Sequence, residues 1–234
     1  YYTRFIAGRS PHEFPSLTGT YETDICVIGG GLAGINTALA LMQRGQSVTL
    51  LEKNRLGFGA SSRNGGFVAR GYAADVDDIA KRVGFDTAKK LMALTRDARG
   101  LIRTRMDDFK IDCGPLKHGV LTVSWKDRAA SIQSYINRMN HDYDAGLDYW
   151  DTDRVRAACK TERYYQGHYS PDDYQFDSLR YLHGLARVLY DGGVSIHENT
   201  KVTALRRDGA GWRVETPSGA VRARHIVLCI AAYG

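Results

Sequence analysis

The sequence predicts an α/β fold organised on a parallel sheet, and three observations predict it. An apolar run, Ile25-Cys26-Val27-Ile28, is broken by Gly29-Gly30-Gly31. A stretch with helical recurrence follows, apolar at 32, 35, 39 and 42. A second apolar run then ends in Leu50-Leu51-Glu52. Residues 24–52 therefore spell strand, glycine turn, helix, strand, the unit from which doubly wound sheets are built.

The elements follow in order. Residues 1–20 contain Gly8, Pro11, Pro15 and Gly19 and read as an irregular arm. The opening Tyr1-Tyr2-Thr3-Arg4 has no initiator Met and no signal-peptide core, so a trimmed start is expected. After the strand at 24–28 and the helix at 32–44, Gly45 is placed to stop the helix. Residues 47–51 are the second strand, and 57–66 form a second glycine-rich stretch. Residues 75–83 and 86–109 read as helices, 119–125 as a strand and 127–145 as a helix. The Tyr- and Asp-rich stretch 148–176 has no clear periodicity. Residues 177–190 are helical, with Asp177 or Ser178 as N-cap and Gly192-Gly193 as the stop. A short strand at 194–197 precedes three antiparallel strands at 201–206, 212–216 and 220–224, with Gly-rich turns between them. The continuous apolar run 225–230 suits a buried parallel strand.

Gly29-x-Gly31-x-x-Gly34 carries the chemistry. Alone it is a weak motif; a strand before it, a helix after it and an acid closing the next strand strengthen it. Gly29 allows the turn, Gly31 lets a pyrophosphate approach the backbone, and Gly34 lets the helix pack on the sheet. The helix start at Gly31, Leu32 and Ala33 directs free N–H groups and the positive dipole end at phosphate. Glu52 is placed to accept a ribose diol and disfavours a 2′-phosphate, which argues against NADP. Lys53 joins the candidate set, with a solvent-facing strand end as its blander role. Turn glycines in a domain without nucleotide are the alternative, and all the parts being in register weighs against it.

Composition narrows the class. Hydrophobic residues make up 43% and charged residues 25%, an ordinary globular balance. No apolar run is long enough to suggest a membrane span. The net charge of +6 is spread along the chain. Its densest part, Arg96, Arg99, Arg103 and Arg105 with Asp97, Asp107 and Asp108 nearby, reads as a solvated helix face more than a nucleic-acid footprint. Cys26, Cys113, Cys159 and Cys229 form no C-x-x-C pair, which points to a reducing, cytoplasmic setting. His118, His141, His168 and His183 lack metal-ligand spacing, so no metal is expected. No Ser/His/Asp or Cys/His signature supplies a hydrolytic alternative.

The motif does not separate NAD from FAD, but the layout does. A nicotinamide domain continues as repeated βα units. Here the second strand runs into another glycine-rich loop and about a hundred residues of mixed structure. The nucleotide-domain pattern resumes only at the helix from Asp177. A Rossmann-like FAD-binding domain, a parallel sheet with a β-meander, is therefore expected, plus part of an inserted α+β substrate domain. The expected boundaries are 1–72 and 150–234 for the first and 73–149 for the second.

At this point the residues resemble a family. Residues 24–34, Leu51-Glu52 and the stretch Gly57-Phe58-Gly59-Ala60-Ser61-Ser62-Arg63-Asn64-Gly65-Gly66 look like the D-amino-acid oxidase (DAO) superfamily of FAD-dependent oxidoreductases. The Gly-Ala-Ser-x-Arg-Asn-Gly-Gly form most resembles the gamma-glutamylputrescine oxidase branch. Residues 111–114, 119–121, 184–187 and 193–194 resemble it too.

The resemblance implies that Gly59, Ala60, Ser61, Ser62, Arg63, Asn64, Gly65 and Gly66 touch the pyrophosphate, ribityl chain and ring edge of FAD. It places the Val202 backbone at adenine and Ala231 near the pyrophosphate. Arg63 stands where some relatives carry a His bonded to FAD, so non-covalent FAD is expected. The implied reaction is oxidation of a primary or secondary amine or amino acid by hydride transfer to flavin, with O2 or another acceptor. A small-molecule amine is the expected partner, with no nucleic acid and no membrane. Gln175-Phe176-Asp177-Ser178 departs from the family's His-Pro form. Tyr164, Tyr165, Tyr169 and Tyr174 are read as aromatic packing, with an amine pocket as the alternative. Arg63 and Arg70 are candidates for positive charge near the flavin, with a surface ion pair as an equal alternative for Arg70. The chain reads as an N-terminal part of a longer protein, so no catalytic residue is assigned. A non-catalytic FAD-binding fragment and a flavin-dependent RNA-modifying protein stay open as alternatives.

Overall fold

The structure is a computed structural model that describes residues 13–231. Gly8, Pro11 and the Tyr1-Tyr2-Thr3-Arg4 start lie outside the described residues. In chain order the elements are β1 (Gly19–Ile28), α1 (Leu32–Met42), β2 (Val48–Leu51), β3 (Phe67–Val68), α2 (Val76–Val83) and α3 (Phe85–Asp108). Then come β4 (Lys117–Val123), α4 (Ala129–Tyr143), β5 (Asp148–Trp150), α5 (Thr152–Cys159) and β6 (Gly167–Gln175). The chain continues through α6 (Ser178–Asp191), β7 (Ser195–His197), β8 (Ala204–Asp208), β9 (Gly211–Thr216) and β10 (Gly219–Leu228). They fall into two compact units.

The first unit gathers the described residues up to Asn64, Met106–Cys113 and those from Asp177 on. Its sheet runs β7-β2-β1-β10-β9-β8. The first four strands are mutually parallel and the last two add antiparallel. Cys26, Ile28, Leu51, Val214, Val221 and Ala223 form the core of this sheet, with Leu17 from the arm. Burial pushes the Cys26 thiol up to about 12, so it acts as a small hydrophobe. Helices α1 and α6 pack on each other.

Two strand assignments change. β1 starts at Gly19, because Gly19 to Thr23 pair with Gly219 to Ala223. Those residues are mostly exposed and polar, so nothing local marks them as strand. The third meander strand and the terminal apolar strand are one continuous β10. Its first half pairs with β9 on one side, and β1 follows it on the other.

The second unit comprises Gly65–Arg105 and Gly114–Phe176. Its antiparallel sheet runs β3-β6-β4, with β5 also paired to β6. Val76, Ala88, Met92, Met139, Tyr143 and Ala145 form its core. The stretch 148–176 resolves into β5, α5 and β6. Pro171 lies where the β4–β6 register shifts, between the Val120–Ser170 and His118–Tyr174 pairs; a residue without an N–H is tolerated at such a break. Residues 65–72 and 150–176 therefore group with this unit and not with the first, since β3, β5 and β6 share one ladder. Arg99 is not on a solvated face either. Its side chain is 10% exposed and bonds Asp173 at 2.6 Å and Asp172 at 3.0 Å.

Candidate dinucleotide site

The site is built at the C-terminal ends of β1 and β2, where open α/β sheets place ligands. β1 ends at Ile28 and the chain turns at Gly29, whose φ is +114°. A Cβ there would run into the Cys229 carbonyl, so the turn is both left-handed and crowded. The Gly29 N–H donates to Leu51 O at 2.8 Å, and Cys229 N–H donates to Ile28 O at 2.7 Å. A Cβ on Gly34 would meet the Gly29 carbonyl, which is what close helix–strand packing requires. Gly31 precedes α1 with no side-chain cap, and the first turn carries no acid. The Ala33 and Gly34 N–H groups and the dipole of that turn thus face no carboxylate of their own helix.

Glu52 closes on this turn. Its Oε2 accepts the Gly30 N–H at 2.7 Å and its Oε1 accepts the Asn54 N–H at 2.8 Å. Each oxygen keeps acceptor capacity for a further hydroxyl. Lys53 beside it is exposed.

The second glycine-rich stretch docks on the first. Gly57 N–H donates to Gly30 O at 2.9 Å. Ser61 Oγ accepts the Leu32 N–H at 2.9 Å, so a hydroxyl from one loop stands at the helix start of the other. The Ser62 hydroxyl donates to Gly57 O. Asn64 Nδ2 donates to Ala60 O and Ser61 O, both at 3.0 Å, and Ser178 Oγ donates to Asn64 Oδ1 at 3.2 Å. Asp177 supplies the cap of α6, with Oδ1 accepting Leu179 and Arg180 N–H. Gly59 and Ala60 are exposed, and Arg63 lies over the Phe58 ring at 4.4 Å.

The structure brings together Gly29, Gly31, Leu32, Ala33, Gly34, Glu52, Lys53 and residues 59–64. Val202, half-buried, packs against the same core just before β8. Ala231 is exposed with φ +50° past the end of β10. Gly65 and Gly66 instead belong to the second unit, where their carbonyls accept from Gln175 Nε2 and Phe176 N–H. Arg70 is also there: its guanidinium donates to the carbonyls of Tyr143 and Asp144 and caps α4. The tyrosines pack individually. Tyr169 stacks on Trp150 at 5.0 Å, Tyr164 meets Trp125 edge-on, and Tyr174 donates to Arg99 O.

Sequence reasoning missed Glu198. It is 3% exposed and accepts the Leu56 N–H at 2.6 Å. A lone Glu just past a short strand carries no local mark of such a role.

The fold and the glycine turn define an α/β unit of the dinucleotide-binding kind, with an acid-free helix start beside a carboxylate. The comparisons make that class specific. Residues 24–234 match the FAD dependent oxidoreductase (DAO) family, and the chain belongs to it; FAD is that family's cofactor. A probable oxidoreductase OrdL of Haemophilus influenzae is 30% identical over 98% of this chain and 53% of its own length. The gamma-glutamylputrescine oxidoreductase of Escherichia coli is 29% identical over 94% of this chain and 51% of its own. Among solved structures, L-amino acid deaminase from Proteus myxofaciens has a TM-score of 0.74 at 22% identity, covering 93% of this chain and 47% of that one. Glycine oxidase from Geobacillus kaustophilus has a TM-score of 0.71 at 20% identity, covering 89% and 55%. These two show the shared fold. The chain spans about half the length of the relatives it matches.

Proposed function

We propose that this chain is the cofactor-binding part of an oxidase that takes a primary or secondary amine or an amino acid as substrate, gamma-glutamylputrescine-like compounds first among them. The observation that carries the reading is the Glu52 carboxylate held on the Gly30 N–H beneath an acid-free helix start. The chemistry FAD supplies when bound is removal of hydride from the carbon beside the nitrogen; the imine then hydrolyses, and O2 takes the electron pair to give H2O2.

The protein's own work here is binding. The α1 N-terminus, with Gly31, Leu32, Ala33 and Gly34, receives the pyrophosphate. Glu52 accepts the ribose hydroxyls, and the Val202 backbone meets adenine. Residues 59–64 serve the ribityl chain and ring edge; Ala231 lies by the pyrophosphate. Arg63 offers no imidazole for a covalent bond, so FAD is held non-covalently. The free cysteines suit a reducing cytoplasm. No nucleic-acid partner is proposed, because Arg96 and Arg99 are bound to Asp144, Asp172 and Asp173.

The test is anaerobic flavin reduction in the full-length protein with gamma-glutamylputrescine, putrescine, sarcosine, glycine and D-amino acids. Bleaching by one of these supports the reading. A yellow protein bleached by none refutes the substrate class; a colourless protein that gains no FAD refutes the cofactor site.

A further inference from the structure

Glu198 joins three segments of the first unit. Its carboxylate accepts the Leu56 N–H at 2.6 Å and also the Phe14 N–H of the arm. The residues around it hold the same loop. Glu52 N–H donates to His197 O at 2.9 Å, Thr200 N–H to Glu52 O at 2.8 Å and Asn199 N–H to Asn54 O at 2.7 Å. The Thr200 hydroxyl donates to Glu198 O and accepts the Leu17 N–H. Leu56, 2% exposed, extends the chain of contact, since a Cβ on Gly30 would run into its side chain. Gly57, next along, donates to Gly30 O.

We infer that Glu198 is a positioning residue for the cofactor: it fixes the 54–57 loop and, through Leu56 and Gly57, the Gly30 turn that receives the adenosine diphosphate half of FAD. This rests on the cofactor placement proposed above. Glu198 never touches the ligand. It sets where Leu56 stands, Leu56 backs Gly30, and Gly30 carries the N–H that orients Glu52.

The arrangement has a proton dependence. A carboxylate accepts from both Leu56 and Phe14; a protonated acid turns its own O–H toward one of those donors and loses that bond. Burial pushes the Glu198 carboxyl above its ordinary value. The charged groups facing it are Arg55 from the loop and Glu13 from the arm, which pair with each other at 2.6 Å. His183 of α6 faces Arg55, and His197, next in the chain, is turned to Pro15 O.

The experiment measures FAD dissociation constants by flavin fluorescence for the full-length wild type and Glu198→Gln across the acidic to neutral range. Wild-type affinity is expected to fall as the pH drops, with a midpoint above the ordinary carboxylate value of 4.5. Glu198→Gln is expected to bind about ten- to a hundredfold more weakly at neutral pH, with that acid limb removed. Wild-type affinity and an unchanged pH profile in the variant would overturn the inference. Should Glu198→Gln fail to fold, exchange of the wild-type Leu56 amide proton over the same range decides. Protection lost in step with Glu198 protonation supports it; constant protection overturns it. A wild type that binds no FAD defeats the cofactor placement instead, and the Leu56 exchange still tests the positioning.

Discussion

Replacing Glu52 with alanine deletes the acceptor of two backbone bonds, from Gly30 at 2.7 Å and Asn54 at 2.8 Å. A hydrogen bond to a charged group is worth roughly 1.5–3 kcal/mol when shielded from water. Glu52 is only half-buried, so water replaces part of each bond, and the expected loss of folding stability is about 1–2 kcal/mol. The loss in binding is larger. Two ribose hydroxyls would lose a charged acceptor, about 1.5 kcal/mol each, or roughly 3 kcal/mol and a hundredfold in Kd. The assay is FAD titration of the full-length protein followed by flavin fluorescence, beside urea unfolding of the same samples. A Kd within about twofold of wild type, with the small stability loss present, would refute the ribose role. Unchanged stability would refute the two backbone bonds.

Gly34→Ala puts a methyl against the Gly29 carbonyl, which cannot move without opening the turn. Stability should drop by about 3 kcal/mol and FAD binding should be lost; a variant with the wild-type Tm contradicts the packing argument. Flavin should leave the polypeptide completely on denaturation, and absorbance retained on the precipitated chain contradicts non-covalent attachment. Burial holds His168, His183 and His197 below the usual imidazole value. The unfolded chain therefore takes up their protons first. Their contribution to stability is present above about pH 6.5 and is lost as the pH falls toward the folded values. Glu198, raised by burial, has the opposite sign: its contribution is present below its unfolded value and lost as the pH rises through the folded one. Urea unfolding below pH ~6.5 should show a falling free energy with three histidines against one carboxyl; a rise there contradicts the burial account.

Much of the first unit was legible because its signals are local. The run 25–28, the glycines and the helical recurrence at 32–42 each state their element within a few residues, and the motif supplied Gly29, Gly31, Gly34 and Glu52. The parts missed depend on distant partners. The first five residues of β1 are strand only because β10 lies beside them. No turn residue separates 220–224 from 225–228, yet the change to a continuous apolar run at 225 suggested two strands. In β6, Pro171 and the mixed Tyr and Asp pattern hid a strand that three others define by pairing. In the site, Gly65 and Gly66 read as one loop with Ser61 but are fastened to the end of β6. Glu198 went unseen because its importance lies in Leu56 and Phe14, both remote in the chain.

The pairing of β1 with β10 also bears on how this protein comes to be folded. Gly19 stands opposite Gly219, and Cys26 opposite Ile226. The central strand of the first unit thus emerges from the ribosome long before its neighbour exists, with Ile25 to Ile28 exposed on an open edge. Contacts of such long sequence separation slow folding and leave apolar surface open to misassembly meanwhile.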